Sequence, residues 1–334
     1  MKAKGRHKQC LPLVLLMAAQ TLLNEEKRLT RKSKRIKGGY FQIGKIRSRI
    51  AFVVLVLPAL IWFLGLMIWP LFNMFYLSFF RWNSLLDPKV FIGLGNYLRM
   101  FQDEHFWHGV VNSAIYMAVD MPLALLPGFM LGFFLSRRPP GSRWLRLIFF
   151  APSMLSVAAV NLMFVGIYLP DGILNTLLHQ VGLDQLTHVW LADPDTALGA
   201  VIAIDVWGSI GYYGILFYAS LSNISEELFE AARLDGANIW DQIWKIALPL
   251  SRDFFGVAMV LNYVWIIYGS AQNVLILTKG GPGDHSLTVG YYLYNQAFIA
   301  NRLGYSQAIA VFAFAIGLFG ILLIRRLSRN GEIS

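Results

Sequence analysis

One cysteine, Cys10, stands alone in 334 residues, which excludes an intramolecular disulfide and any metal site built from several thiolates. Charge is scarce as well: Lys, Arg, Asp and Glu make up 14% of the chain against 56% hydrophobic residues, and mean hydropathy is +0.53. That is more apolar surface than one soluble core can bury, so an integral membrane protein is expected. Groups for catalysis are thin. His7 lies in the N-terminal segment, and His105, His108, His179, His188 and His285 sit in or beside polar connections, where a solvated ring is the ordinary state. Within the apolar runs the acidic residues are Asp120 and Asp205, far apart in sequence and without a histidine nearby. Such spacing provides no acid–base pair, nucleophile constellation or metal cluster, and it argues against an intramembrane enzyme. Both aspartates read as helix-packing or gating residues ahead of proton carriers.

A nucleotide site is also missing. Gly39 to Gly44 and Lys45 nearly spell a phosphate-binding loop, but Ile46 stands where a hydroxyl must reach Mg²⁺, and no buried strand precedes the glycines. The chain is therefore expected to hold no cofactor and to hydrolyse no ATP by itself.

Six apolar stretches are long enough to cross a bilayer, at about 51–80, 109–136, 144–168, 197–221, 254–278 and 304–324. The first is longer than a span needs, and Pro70 is expected to break it. Of 29 Lys and Arg residues, 24 fall before residue 50, at 137–146, at 222–253 or after 324; the other five are Arg81, Lys89, Arg99, Lys279 and Arg302. The positive-inside rule then predicts a multi-pass protein with both termini and the 222–253 connection in the cytoplasm. The net charge of +10 is mostly this asymmetry, and it points to anionic lipid, not nucleic acid. The apolar run at 11–23 follows a basic start but lacks a small-residue cleavage site and is too short to span, so a cytoplasmic or interfacial helix is expected there. Gly128 and Gly132 form a GxxxG in the second span, which predicts close helix packing.

Residues 230–249 are polar and charged between two apolar spans, and such a stretch must be a docking surface. The Asp235-Gly236 pair breaks a first short helix, since glycine tolerates the angles of a reversal, and Pro249 begins the next descent. The stretch resembles the EAA loop of ABC importer permeases, with Glu230, Ala231, Ala232, Asp235, Gly236, Ala237, Ile246, Leu248 and Pro249 on pattern and Ile243, beside Trp244, where an aromatic is usual. Phe91, Gly93, Asn96, Tyr97, Asp103, Phe106 and Trp107 resemble the first external loop of carbohydrate importer permeases. Gly172, Asn175, Leu178, Gly182, Trp190, Leu191, Asp193, Pro194 and Ala197 resemble the second, and 277–282 the third. From about residue 50 to 324 the chain is similar to the maltose-type, binding-protein-dependent ABC sugar permeases. Its long basic N-terminus, outside the resemblance, suits a bacterial system for large saccharides.

The resemblance implies an all-α integral membrane fold of the type I ABC importer permease: six transmembrane helices with a cytoplasmic helix-turn-helix coupling loop. It implies a basic cytoplasmic extension at 1–49, a permease domain at 50–324 and a cytoplasmic tail at 325–334. Glu230, Ala231, Ala232, Asp235, Gly236 and Ala237 would contact an ATPase. Implied partners are a second, homologous permease chain, two ATP-binding subunits holding ATP and Mg²⁺, a periplasmic solute-binding protein and a carbohydrate substrate at the bacterial inner membrane.

Sugars present hydroxyls at the ring edge and apolar C–H faces, so a sugar path calls for amides, hydroxyls and aromatic platforms. Spans four and five offer Trp207, Ser209, Tyr212, Tyr213, Asn262, Trp265, Tyr268, Ser270, Gln272 and Asn273. By distance from Glu230, the resemblance puts Ser209, Tyr212 and Asn262 near the sugar site. The competing reading makes the aromatics lipid-interface anchors or core packing. Two other classes stay in view. An ion-coupled secondary carrier predicts paired acidic residues at the midplane and no coupling loop; an intramembrane enzyme or polysaccharide-synthase component predicts a catalytic cluster.

Overall fold

The computed structural model describes residues 54–329; the run at 11–23, the motif at 39–46 and the basic segment before residue 50 lie outside the described residues. The chain divides between Phe72 and Asn73 into two compact units. The first helix, α1 (Val54–Leu77), supplies the described part of the first unit. Pro70 does not break it, contrary to expectation. A π-helical stretch at Leu64–Ile68 lies just ahead of the proline and widens the turn that must accommodate a ring and a missing N–H.

In the second unit, β1 (Phe80–Arg81) and β2 (Val90–Phe91) pair as a short antiparallel ribbon, the one departure among the described residues from an all-helical chain. Asn96 fixes this reversal: its Nδ2 donates to the carbonyls of Ser78 at 2.7 Å and Phe80 at 2.9 Å. Asn96 lies on α2 (Gly95–Gln102), which turns Asn96 and Met100 inward. The long helix α3 (Glu104–Ser136) starts on Asp103, whose carboxylate accepts from the His105 N–H. Its 33 residues reach about 50 Å at 1.5 Å per residue, well beyond a ~30 Å hydrocarbon layer.

The third apolar stretch is not one straight span. It is two helices, α4 (Ser142–Met154) and α5 (Val157–Ile167), bent by 94°. Pro152 cannot donate into the last turn of α4, and Leu155 and Ser156 are extended, so the ladder stops and the chain turns. The remaining helices are α6 (Ile173–Gln180), α7 (Ala197–Leu221), α8 (Glu226–Leu234), α9 (residues 239–250), α10 (Arg252–Leu277), α11 (residues 289–299) and α12 (Leu303–Arg329). Among the described residues, five helices are long and apolar enough to cross a bilayer, or six if the bent α4–α5 pair counts as one span.

The central packing is α3 against α7, and glycine makes it close. A Cβ built at Gly128 would stand 2.9 Å from the Tyr213 Cβ, and one at Gly132 only 2.7 Å from the Phe217 Cβ and 2.8 Å from the Tyr218 amide nitrogen. The GxxxG therefore serves packing within the chain. Around it Phe129, Phe133, Phe217 and Phe229 form one apolar cluster. A second gathers Phe106, Tyr116, Ile204, Ile266 and Tyr305.

Two more connections are held by asparagines. Asn112 on α3 donates to the carbonyls of Asp284 and Leu287 at 2.7 and 3.0 Å. Asn175 donates to Pro170 and His188 and accepts from the Trp190 indole at 2.8 Å. Three of the histidines expected to be solvated remain at least partly exposed and also have aspartate partners: His105 with Asp284, His179 with Asp184 and His188 with Asp193.

Candidate functional site

A cavity of about 570 Å³ opens where the α4–α5 bend faces α7 and α10. The bend creates it, because a straight third span would not carry Pro152, Ser153 and Leu155 across the front of α7. Gly211 allows the crossing: a Cβ there would collide with the Phe149 carbonyl oxygen at 1.8 Å.

Six of the expected path residues line this cavity: Ser209, Tyr212 and Tyr213 from α7, and Trp265, Tyr268 and Asn273 from α10. Trp207, Asn262 and Ser270 are not in its lining, and helical phase explains each. Trp207 packs edge-on against Phe164 at 5.4 Å. On α10 the cavity face runs through Leu261, Val264, Trp265 and Tyr268; Asn262 is rotated out of it, fully buried, with Nδ2 donating to Asp120 Oδ2 at 2.9 Å. Ser270 is buried and donates to the Ile266 carbonyl at 2.6 Å. Gln272 is also absent from the lining.

Asp205 belongs to the wall, a position that reading it as a packing or gating residue did not specify. Its carboxylate accepts the Trp265 indole N–H at 2.8 and 2.9 Å and the Tyr116 hydroxyl at 2.8 Å. These bonds hold the indole plane in place, and Gly269 lets the ring lie against the backbone, since a Cβ there would meet it at 2.3 Å. Ser153, Asn161 and the supporting Tyr116 were missed. Asn161 was visible as a lone amide in the third apolar run, and its Nδ2 donates to Asn273 Oδ1 at 2.8 Å. Aromatic faces, hydroxyls and amides thus converge on one space, the mixture that neutral polyols require.

The same two wall helices, α7 and α10, are joined through α8 and α9. Helix α8 is seated by Phe229, buried against Phe133, and by Arg137. The Arg137 guanidinium lies 3.3 Å over the Phe229 ring and donates to Glu226 at 2.9 Å. Burial pushes Arg137 below its ordinary value, and Glu226 offsets part of this. Helix α8 ends in a Schellman turn: the Ala237 N–H donates to Ala232 O at 2.8 Å, the Gly236 N–H to Arg233 O at 3.1 Å, and Gly236 has φ +87°. Helix α9 opens with a capping box between Asn238 and Asp241, and Lys245 holds the Asp241 carboxyl below the usual carboxylate range. Glu230, Ala231, Asp235 and Gly236 are exposed, while Ala232 and Ala237 are half-buried in the turn. Leu234 at the turn is 89% exposed.

Residues 124–330, which include every cavity-lining residue and the whole of α8 and α9, match the family described as the inner membrane component of binding-protein-dependent transport systems. The chain belongs to this family. It is a multi-pass permease of the inner membrane and not a catalytic subunit by itself. It is 35% identical to the probable ABC transporter permease protein YurN of Bacillus subtilis, over 86% of this chain and 98% of that one. The diacetylchitobiose uptake system permease protein NgcF of Streptomyces coelicolor is 32% identical over 75% of each chain. Among solved structures, a chain of a bacterial ABC transporter that imports the acidic polysaccharide alginate superposes with TM-score 0.75, covering 86% of this permease and 97% of that chain at 22% identity. That likeness concerns the fold: a type I ABC importer permease.

Proposed function

We propose that this permease forms half of the path of an ATP-driven importer for oligosaccharides or related carbohydrates. One observation carries the reading: the two helices that supply most of the cavity's polar and aromatic wall are the two that the α8–α9 segment joins. Movement of that segment is transmitted directly to the cavity wall.

In this reading a second, homologous permease completes the path, a periplasmic solute-binding protein delivers the saccharide, and two ATP-binding subunits hold ATP and Mg²⁺ beneath. The family's dependence on a binding protein supports the second of these. Glu230, Ala231, Ala232, Asp235, Gly236 and Ala237 face the ATPase, with the exposed Leu234 side chain as an apolar anchor. Closure of the ATPases draws the coupling segments together and rocks α7 and α10, switching the cavity between the two sides of the membrane. Both termini lie in the cytoplasm. Tyr212, Trp265 and Tyr268 offer stacking faces, and Ser209, Tyr213 and Asn273 offer hydrogen bonds, while Asn262 acts from behind through Asp120.

The complex, purified with its partners and reconstituted in vesicles, tests the proposal. Saccharide uptake should require both the binding protein and ATP on the α8–α9 side. Uptake driven by a proton or sodium gradient without ATP would replace it with a secondary carrier.

A further inference from the structure

We propose that the cavity accepts saccharides bearing no anionic group, with Asp205 as the residue that disfavours acidic sugars; this rests on the carbohydrate reading above. No Lys, Arg or His is among the lining residues, and the one carboxylic acid there is Asp205. Its hydrogen-bond donors, Tyr116 and Trp265, are neutral, and no ion pair among the described residues involves it.

An acidic ring entering this space leaves water to meet a carboxylate, with no cation on the wall to pair with. In surroundings less polar than bulk water, both like-charge repulsion and lost hydration grow. Hydroxyl-rich neutral rings meet the opposite situation: acceptors for their O–H groups and indole or phenol faces for their C–H groups. The alginate importer's similarity of fold therefore does not extend to its acidic substrate.

Direct binding to the purified complex tests this. Glucose, mannose and N-acetylglucosamine tetrasaccharides are titrated alongside counterparts oxidised to the C6 carboxylate, reading quenching of Trp265 with the Trp265→Phe complex as background. At least one neutral sugar should bind tenfold or more tightly than its oxidised form. Asp205→Asn should narrow that gap several-fold, and Ser209→Lys, which places a cation in the cavity, should raise affinity for the oxidised form; should Asp205→Asn fail to assemble, Ser209→Lys decides alone. Equal or tighter binding of the oxidised sugar to the unaltered complex overturns the inference. So does full discrimination in the assembled variants, which would assign selectivity to another subunit. Binding of no sugar, together with no ATP-driven saccharide uptake, removes the carbohydrate reading itself and this inference with it.

Discussion

Replacing Gly132 by alanine should force α3 and α7 apart. The new methyl would stand 2.7 Å from the Phe217 Cβ, 2.8 Å from the Tyr218 nitrogen and 2.9 Å from the Gly214 carbonyl oxygen. Carbon contacts settle near 3.5–4.0 Å, so the helices must part by roughly 0.7 Å or bend. No flexible side-chain tip is available to move aside. Overpacking of this kind costs about 1–3 kcal/mol, against a gain of about 0.5–1 kcal/mol from removing glycine from a helix. The net loss of about 1–2 kcal/mol corresponds to a melting midpoint roughly 2–8 °C lower. Gly199 on α7 is the control, because nothing lies within 4 Å of a Cβ built there; Gly199→Ala should be neutral or stabilising. The assay is thermal unfolding of the purified complex, followed by uptake, since α7 carries Ser209 and Tyr212. If Gly132→Ala is as stable as Gly199→Ala, the close approach of α3 and α7 is wrong.

Gly236→Ala should cost about 1–2 kcal/mol through backbone conformation alone, since φ is +87° and the space around the new methyl is open. Gly236→Asn should be tolerated better, so ATP-coupled uptake should fall further for alanine than for asparagine. Asn175→Ala removes two donated bonds and leaves the Trp190 indole unpaired; a loss of about 2–3 kcal/mol should appear as faster proteolysis at 169–196. Burial pushes the Asp103 carboxyl up, but hydrogen bonds from Tyr292 at 2.5 Å and Tyr305 at 2.6 Å bring it below its ordinary 3.8. Its contribution is therefore complete above that value and lost as pH falls through the lower folded one, so the midpoint gap between the parent and Asp103→Asn should close only in acid below about pH 4. Single cysteines at 238 and 285, with Cys10 replaced, should react with an impermeant reagent in intact cells at 285 and not at 238; the reverse would invert the proposed topology.

The apolar spans were legible because composition alone dictates membrane residence, and the polar stretch after α7 because so many charges cannot enter hydrocarbon. Proline was the least transferable signal. Pro70 stays inside a helix, where a π stretch absorbs it, while Pro152 is followed by extended Leu155 and Ser156 and a 94° bend. Hydropathy averages over both sites and distinguishes neither. The bend shapes the cavity, which is why Ser153 and Asn161 escaped notice while Ser209, Tyr212 and Trp265 did not.

Asn262 and Asn161 mark a second limit of the sequence. Each is an amide in an apolar helix, and composition gives no reason to separate them. Packing does: Asn262 faces α3 and Asp120, while Asn161 faces Asn273 and the cavity. The loop matches have a similar explanation. Asn96 and Asn175 were singled out as parts of external-loop patterns, yet both spend their amides on backbone carbonyls. They hold the shape of their connections, so a match at those positions speaks for fold. The proposed substrate chemistry sits instead on the faces of α5, α7 and α10, where the side chains carry hydroxyls, amides and rings and no positive charge. A permease for acidic polysaccharides could keep every loop asparagine and still need a different wall.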